Sequence, residues 1–430
     1  MTAPVTAGRG RSWIIDVRPL RVVAYRRMWL GNAVSFFGYQ FTAVAVPVQM
    51  FALTRSSAWV GLLGVAALVP LLVFGLWGGA AADVLDRRRL LLAGSALAWL
   101  STGGLLLQAA LGVDRPALLL ALVAVQSAGF AISSPTRQAI IPRLVPPDLV
   151  PAANTLGYTT STAGGVFGPL AAGLVLATWA TGTGTTVAYA VDAVLFTVSM
   201  WATWRLPPIP PAADQDSSGG EVPKPSAGLR GIADGLRYLA TAPVLLLSFG
   251  IDMIAMVLAM PRALFPEVAA ERFGGGSAVG WLFSAIAIGS VLGGLTSGWI
   301  GRIHRQGVAL VIAVVGWGVA IGFAGLADQL WLMVALLAVA GAADLVSAVY
   351  RQSILQTYAP DRLRGRLQGV HSVVVVGGPR LGDLRAGATA DIVGPATAWA
   401  AGGFVAAGLA VVLALASPGL VRYRPEHRDR

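Results

Sequence analysis

The sequence predicts an all-α membrane protein in which twelve transmembrane helices form two pseudo-symmetric six-helix bundles. Three observations support this fold class: long apolar runs, one polar linker near the middle of the chain, and landmarks that recur at a constant spacing. The chain is 56% hydrophobic and 12% charged, with a mean hydropathy of +0.71. About 25% of the residues in an ordinary soluble domain are charged. The composition therefore excludes a soluble globular protein.

Twelve apolar runs are close to the length, about 20 residues, that crosses a hydrocarbon core as a helix. They lie at 28–53, 59–81, 90–111, 117–138, 154–178, 184–204, 243–264, 278–300, 307–326, 330–353, 367–390 and 395–416. We number them span one to span twelve. Residues 28–204 form the predicted N-terminal bundle, here the N-half, and residues 243–416 form the C-terminal bundle, the C-half. Segments 1–27 and 417–430 flank them.

The positive charges predict the orientation of the chain. Of the 31 Lys and Arg residues, 25 fall on the side that includes both termini and three, Arg55, Arg115 and Arg272, fall on the other. In this assignment Arg137 and Arg351, near the ends of spans four and ten, are counted on the side of the termini. Basic residues concentrate in cytoplasmic loops, so both termini are predicted to be cytoplasmic. This topology explains the net charge of +11, and no nucleic-acid partner is expected because no aromatic side chains interleave the basic residues.

Residues 205–242 are predicted to be a cytoplasmic linker between the halves. Their core, PPIPPAADQDSSGGEVPKPSAG at 207–228, is rich in Pro, Ser and Gly and has no apolar period. Next, Leu229, Ile232, Leu236 and Leu239 recur at helical spacing. This spacing indicates either an amphipathic helix on the inner leaflet or ordinary packing of the linker.

The two halves repeat one another. RQAII at 137–141 recurs as RQSIL at 351–355, which is an offset of 214 residues. The same offset relates Pro47 to Pro261, Phe51 to Phe265, and the glycines Gly164, Gly168 and Gly173 to Gly378, Gly382 and Gly387. These landmarks indicate a duplicated six-helix unit in parallel orientation, as in transporters whose halves are related by an axis along the membrane normal.

Several of these stretches resemble the major facilitator superfamily. GAAADVLDRR at 79–88 is similar to its cytoplasmic loop motif between helices two and three, except at Asp86, where many members have Gly. GGVFGPLAAG at 164–173 resembles its helix-five motif, common in antiporters. VAVPVQ at 44–49, RALFPEVA at 262–269, GSVLGGLTSG at 289–298 and LQTYAPDRLRGRLQG at 355–369 resemble the bacterial enterobactin exporter group. The resemblance implies an antiporter-like carrier that exports a siderophore.

The loop motif predicts a conformational latch formed by Gly79, Asp83, Arg87 and Arg88. Asp83 ends span two and the arginines follow it, so acid and base can pair across the loop or with a neighbouring helix end. The resemblance implies that such a cluster holds one conformational state. Alternatively, the arginines only set the topology. For the six repeated glycines, close helix packing is the leading interpretation.

An ion gradient is the expected energy source. A P-loop, the ATP-binding motif, needs a lysine after its glycines. The single lysine of the chain is Lys224, in EVPKPS, so ATP hydrolysis is not expected. His304, His371 and His427 are interpreted as solvated residues of the loops and tail. The sequence therefore predicts no enzyme, no cofactor and no metal site. The resemblance implies that protons drive transport.

Ionisable residues within membrane spans are costly and count as functional candidates. The resemblance implies that spans one, four, seven and ten line the cavity, which favours Asp252 in span seven and Asp344 in span ten as proton-coupling residues. Asp192 in span six is interpreted as a structural, hydrogen-bonded acid. Polar side chains at membrane depth, namely Asn32, Tyr39, Gln40 and Gln126, are the neutral candidates for cargo binding.

Span eleven carries Arg380, Asp383 and Arg385 within six positions. At 100° per residue, Arg380 and Asp383 share a face and Gly378 and Gly382 lie nearly opposite. We therefore expect all three charged residues to serve an anionic cargo, with Arg385 as an alternative counterion for the acids of spans seven and ten. Alternatively, Arg380 and Asp383 only neutralise one another. Arg262 and Glu267 are predicted to form an external gate or to snorkel to the interface.

Together these observations predict a proton-coupled carrier that exports a siderophore or a similar small hydrophobic or anionic metabolite by alternating access. Two alternatives remain: efflux of drugs or macrolides, and a transporter-like membrane sensor. The expected partners are the cargo, protons and the bilayer of the bacterial inner membrane, and the expected state is a monomer.

Overall fold

A computed structural model describes residues 16–209 and 237–421 of the chain. Within these ranges, the side chains of residues 76–84, 181, 301, 361, 362 and 364–366 lie outside the description. All regular elements of the described residues are helices, which confirms the predicted fold class. The predicted amphipathic helix begins in the undescribed segment 210–236, and of its four apolar residues only Leu239 is described.

The N-half contains six long helices. Spans one to six are Val23–Thr54, Ser57–Val84, Arg87–Ala110, Pro116–Leu144, Val150–Thr178 and Thr181–Trp204. Span seven is divided into the helices Pro243–Ala259 and Phe265–Phe273 by a 3-10 turn at Arg262–Leu264. Spans eight to twelve are Ser277–Leu295, Gln306–Leu326, Leu330–Tyr358, Asp361–Val393 and Pro395–Ala416, and a short helix, Pro418–Val421, ends the described chain.

Span eleven differs from the other spans in composition. Among the described helices, eleven are long and apolar enough to cross a membrane, and Asp361–Val393 is the predicted span that falls outside this set. Its charged residues exclude it, although it is 33 residues long and packs against spans two, seven and twelve. Charged side chains at this depth face the interior of the bundle or a water-filled cavity and not the lipid.

Three spans extend further into the predicted cytoplasmic segments than the apolar runs indicate. Span one begins at Val23 and therefore includes Arg26 and Arg27. Span four continues to Leu144 and span ten to Tyr358, so that Arg137 and Arg351 lie inside helices. The helices continue beyond both arginines, because an arginine can end an apolar run in the sequence without ending the helix. The assignment of Arg137 and Arg351 to the cytoplasmic side remains a prediction.

The helix contacts of the N-half recur in the C-half with a shift of six spans. Span one packs on span six, span two on span four, and span three on spans four and six. Span seven likewise packs on span twelve, span eight on span ten, and span nine on spans ten and twelve. The halves meet mainly through two crossed contacts, span two with span eleven and span five with span eight.

The contact between the halves is tightest at one end. This end carries the loop between spans one and two and is predicted to face away from the cytoplasm; we call it the outer end. A Cβ atom added at Gly173 would lie 2.7 Å from the Cα atom of Gly280, whereas one added at Gly165 would have its nearest neighbour, in Ala287, at 3.8 Å. Further along span five, no atom lies within 4 Å of such a Cβ at Gly157. The halves therefore separate towards the opposite end.

The repeated prolines act differently in the two halves. Pro47 lies inside the continuous helix of span one. Pro261 follows the end of the helix Pro243–Ala259 and precedes the turn Arg262–Leu264. Proline lacks the N–H group that would continue the ladder and clashes with the preceding turn. The break leaves the last carbonyl groups of Pro243–Ala259 without partners within the helix.

Candidate functional site

An ion-pair cluster lies inside the C-half. The guanidinium of Arg351 in span ten contacts the carboxylate of Asp252 in span seven, and its second terminal nitrogen lies 3.6 Å from Asp344 Oδ1. Arg351 and Asp252 are buried, with 4% and 1% of their surfaces exposed, whereas the side chain of Asp344 is 32% exposed. One arginine therefore bridges the two acids that the sequence singled out.

His371 and Ser347 extend this cluster. His371 lies in span eleven, and its ring centroid is 5.2 Å from that of Phe249 in span seven. His371 is 9% exposed, so its assignment as a solvated loop residue was wrong. Ser347 Oγ and His371 Nδ1 are both buried without a hydrogen-bond partner in the described residues. These atoms are polar groups that a proton, a water molecule or a cargo atom is able to contact.

A second charged group surrounds the break in span seven. Arg262 is exposed, although its neighbours Pro261, Ala263 and Leu264 are buried. The guanidinium of Arg262 therefore extends into open space from an otherwise packed turn. Four side chains lie close enough to interact electrostatically with it: Asp383 and Arg380 of span eleven, Tyr39 of span one and Asp344 of span ten. Tyr39 brings the N-half into this central group.

Arg380 and Asp383 are not in direct ion-pair contact, because their charged atoms are further apart than 4.0 Å. They remain within electrostatic range of one another. Asp383 Oδ1 is buried without a hydrogen-bond partner in the described residues. Both residues lie against span two, where a Cβ atom at Gly64 would be 2.8 Å from the carbonyl oxygen of Arg380.

Arg385 binds main-chain carbonyl groups. It donates to Val257 O at 3.3 Å, to Leu258 O, and to Ala398 O in span twelve at 3.4 Å. Val257 and Leu258 belong to the last turn of Pro243–Ala259, where the proline break leaves carbonyl groups free. A cation at a helix C-terminus satisfies these carbonyls and interacts favourably with the helix dipole. The structure thus engages Arg385 in helix capping and does not place it in contact with an acid.

The N-half contains a buried polar network without charged bases. Asp192 Oδ2 accepts hydrogen bonds from Thr42 at 2.5 Å and from Thr102 at 3.5 Å, and Gln126 donates to Thr102 at 3.1 Å. Asp192 is fully buried. Asp192 and Gln126 therefore hold spans one, three, four and six together, as the sequence-based interpretation of Asp192 expects.

The other two cargo candidates of span one are partly buried. Gln40 packs against span five, where a Cβ atom at Gly168 would lie 2.5 Å from Gln40 Cβ. Asn32 lies two turns earlier in the helix. Its main-chain carbonyl group accepts a hydrogen bond from the hydroxyl of Ser35 at 3.3 Å. The structure thus brings Tyr39 to the central group and leaves Asn32 apart from it.

The six repeated glycines make equivalent contacts in the two halves. Gly164 and Gly168 pack against Phe36 and Gln40 of span one, as Gly378 and Gly382 pack against Met256 and Met260 of span seven. The third glycine of each set contacts the other half. Gly173 faces Gly280 of span eight, and Gly387 faces Ser57 of span two. Glycine is required where helix backbones approach this closely.

The loop between spans two and three joins several helix ends. Asp86 caps span three by accepting from Arg89 N at 2.9 Å, and it accepts from Ile209 N at 3.1 Å. Arg87 donates to Ala139 O at 3.3 Å, and Arg88 donates to Trp204 O at 2.5 Å. The surroundings of Gly79 and the side chain of Asp83 lie outside the description, so the latch remains a prediction.

Two carboxylates of the C-half bind the N-half at the outer end. Asp391 of span eleven accepts from Ser56 Oγ at 2.5 Å, from Ser57 N at 3.0 Å and from Ala58 N at 3.4 Å. Glu267 of span seven accepts from Ser57 Oγ. We call these contacts the outer clasp.

Sequence reasoning did not identify the roles of three of these residues, for different reasons. Arg351 was noted as a basic residue and as part of the repeat RQSIL, but not as a partner of the acids. Asp391 lies at the edge of an apolar run, and nothing in the sequence indicates that its partners are 333 to 335 residues away. Arg262 was noted, but its two interpretations placed it at the membrane surface.

Within the described residues, no group of three or more His, Cys, Asp or Glu side chains is arranged to hold a metal ion.

Comparison with known proteins identifies relatives along nearly the whole chain. A family model described as "Transmembrane secretion effector" matches residues 15–423. The chain is 29% identical over 425 residues to enterobactin exporter EntS of Shigella boydii serotype 18, covering 96% of this chain and 97% of that protein. The same protein of Escherichia coli O139:H28 matches with the same identity and coverage.

Solved transporters share the fold. The nucleoside transporter NupG superposes with a TM-score of 0.73 at 17% identity, covering 93% of this chain and all of that one. A bacterial homologue of the iron transporter ferroportin, in an inward-facing state, gives a TM-score of 0.67 at 14% identity over 92% of this chain and 99% of that one. These structures confirm the all-α fold. Together with the family match and the exporter relatives, they confirm a multi-pass membrane transporter and the prediction that the chain is not an enzyme.

Proposed function

The chain belongs to the transmembrane secretion effector family of major facilitator transporters, and we propose that it exports a siderophore or a similar small hydrophobic or anionic metabolite in exchange for protons. The proposal places it in the bacterial inner membrane with both termini in the cytoplasm. The similarity to enterobactin exporters supports the proposed cargo class. The family description, transmembrane secretion effector, supports export as the direction of transport.

The proposed proton coupling rests on one observation, the cluster of Asp252, Arg351 and Asp344. A single guanidinium lies between two carboxylates, so it neutralises one negative charge and leaves the other to be neutralised by a proton. Asp344 is the more exposed acid and is reachable from the central space, whereas Asp252 is buried. We infer that Asp344 exchanges protons with water, and that Arg351 communicates the change in charge to Asp252 in span seven.

The central group of Arg262, Arg380 and Tyr39 is the proposed cargo site. Neither arginine has an ion-pair partner within 4.0 Å in the described part of the chain. An arginine without a contacting carboxylate is expensive at this depth, and an anionic cargo group would supply the missing partner. Asp383 keeps the site from being strongly positive when it is empty, since its carboxylate lies within electrostatic range of both arginines.

Alternating access follows from how the halves meet. They are in close contact at the outer end and separate towards the other end, and such halves rock against each other around a site at mid-membrane. With the predicted topology, the structure is open to the cytoplasm, which is the state that loads a cargo for export.

Transport by purified protein in liposomes tests the proposal, with enterobactin as the probe. We expect the parent chain to accumulate enterobactin against its own concentration gradient when a proton gradient is imposed, and also to exchange enterobactin at equilibrium. Asp252→Asn and Asp344→Asn should each lower proton-driven accumulation at least tenfold and preserve exchange, because the amide keeps the shape of the side chain. Asp344→Asn removes the group that exchanges the proton, and Asp252→Asn removes the charge to which Arg351 communicates the change. Asp328→Asn, at an exposed loop acid, is the matched control.

Each other outcome contradicts a part of the proposal. Unchanged proton-driven accumulation in both variants would show that these acids do not couple transport. Transport of a macrolide without transport of enterobactin would favour drug efflux. No exchange of any cargo by folded parent protein would favour a membrane sensor.

A further inference from the structure

In the outer clasp, donors of the N-half bind acceptors of the C-half. These hydrogen bonds therefore exist only while the two halves are in contact. The first N–H groups of any helix lack partners within that helix. In span two, Ser56 provides one cap by accepting from Trp59 N at 3.4 Å. The amides of Ser57 and Ala58 instead donate to Asp391, which belongs to the C-half. Asp391 therefore caps a helix of the opposite half.

The clasp carboxylates have no basic partner of their own. Within the described residues, no ion pair within 4.0 Å involves Asp391 or Glu267. Their acceptor groups are directed at donors of span two, and a negative charge near a helix N-terminus is favourable. Charge-assisted hydrogen bonds of this kind are roughly twice as strong as neutral ones. The clasp therefore contributes specifically to the arrangement in which span two is close to spans seven and eleven.

The clasp also lies where the backbones are closest. A Cβ atom at Gly387 would be 2.1 Å from the carbonyl oxygen of Ser57, and one at Gly61 would be 2.5 Å from that of Asp383. Further from the outer end, the nearest atom to a Cβ at Gly377 is 3.7 Å away, in Leu68. Opening the outer end must therefore break the contacts of Asp391 and Glu267 before the contacts nearer the middle of the span.

We propose that Asp391 and Glu267 are positioning residues for transport that hold the outer end closed while the central site is loaded from the opposite end. Loss of their hydrogen bonds to span two lets the halves separate at the outer end. Neither residue contacts the ion-pair cluster or the central arginines, so this role is independent of the identity of the cargo and of the coupling ion.

Distance measurement between spin labels tests the proposal without any cargo. The chain has no cysteine, so Asp114→Cys and Asp328→Cys, in exposed loops of opposite halves at the outer end, give one label in each half. In Asp391→Ala and in Glu267→Gln, the population with a long distance between the labels should rise at least tenfold relative to the parent. Asp391→Ala removes three hydrogen bonds to span two and its boundary residue, and Glu267→Gln removes the charge that strengthens a fourth. Asp391→Glu, which keeps the carboxylate, should restore part of the short-distance population.

Glu271→Gln is the matched control. Glu271 is an exposed acid on the same short helix as Glu267, and its removal changes the charge without removing a contact to span two. The proposal requires this variant to keep the distance distribution of the parent. Equal distributions in Asp391→Ala, Glu267→Gln and the parent would overturn it, as would an equal shift in Glu271→Gln.

A disulfide across the clasp provides a second test that does not depend on a destabilised variant. Ser56→Cys with Asp391→Cys replaces two side chains whose oxygen atoms are 2.5 Å apart. Oxidation should abolish enterobactin exchange and reduction should restore it, because the outer end must open in every cycle. Exchange at the parental rate by the oxidised, cross-linked protein would show that this end does not open there. This result is distinct from failure of the proposed proton coupling, since equilibrium exchange requires no proton gradient.

Discussion

At the scale of single residues, each charge inside the bundle is held by a different kind of partner. Arg351 contacts a carboxylate, Arg385 binds carbonyl groups, and Asp391 accepts from amides and a hydroxyl. Within the described residues, Arg262 and Arg380 have no ion-pair partner within 4.0 Å, and Arg262 is exposed. Charges that lack such a partner are the ones best suited to meet a cargo, because a charge already satisfied by protein gains little from a ligand.

A pair of variants separates the structural part of Arg351 from its part in transport. Arg351→Met leaves Asp252 buried without its cation, and breaking a buried pair from one side costs about 3–5 kcal/mol. The double variant Asp252→Leu with Arg351→Met removes both charges and should recover most of that stability. We expect its melting temperature to approach that of the parent while proton-driven accumulation remains absent.

Thermal unfolding of purified protein, followed by tryptophan fluorescence, and liposome transport measure the two effects. Asp328→Leu with Arg305→Met, at exposed loop positions, is the control for loss of one acid and one base. Proton-driven transport at the parental rate by the folded double variant would reduce the cluster to a structural pair.

At the scale of helices, glycine positions decide how closely the spans approach. In span eleven, a Cβ atom at Gly382 would lie 2.2 Å from the carbonyl oxygen of Met256, whereas one at Gly369 would have nothing within 4 Å. The same residue type in the same helix thus has two different functions. At Gly382 the missing side chain is required by packing, and at Gly369 it only lowers helix propensity.

Alanine substitution at these two glycines should therefore change stability in opposite directions. Gly382→Ala forces spans seven and eleven apart and should destabilise the protein by about 1–3 kcal/mol. Gly369→Ala should be neutral or should stabilise it by up to about 1 kcal/mol through helix propensity. Melting temperatures of the two variants, measured side by side, decide the point. Equal effects would mean that span eleven shifts to accommodate the methyl group.

The helices were more predictable from the sequence than the pairing of charges. Apolar runs located the spans because a membrane requires about 20 apolar residues per crossing, and the 214-residue repeat indicated two related halves. Helix ends were less accurate: the helices of spans four and ten continue to Leu144 and Tyr358, beyond the ends of their apolar runs. Hydropathy measures composition and does not detect where a helix stops. The partners of Arg351, Arg385 and Asp391 lie on other spans, and periodicity within one helix carries no information about them.

At the scale of the whole molecule, two crossed contacts determine whether the halves are open or closed. Span two with span eleven and span five with span eight are related by the internal repeat. The first of these contacts carries the outer clasp, and the second carries the close approach of Gly173 to Gly280. The halves are therefore joined at two places at the outer end, one polar and one formed by bare backbone.

The second of these contacts predicts that a bulky residue there opens the molecule. Gly173→Leu would place a side chain where a Cβ atom alone already lies 2.7 Å from Gly280, so spans five and eight must move apart at the outer end. We expect the spin labels at positions 114 and 328 to report a longer distance and enterobactin exchange to fall at least tenfold. Gly157→Leu, in the same span where no atom lies within 4 Å, should change neither. If Gly173→Leu folds and retains the parental distance and exchange rate, the contact between spans five and eight does not control the opening of the outer end, and the polar clasp on the other side must do so alone.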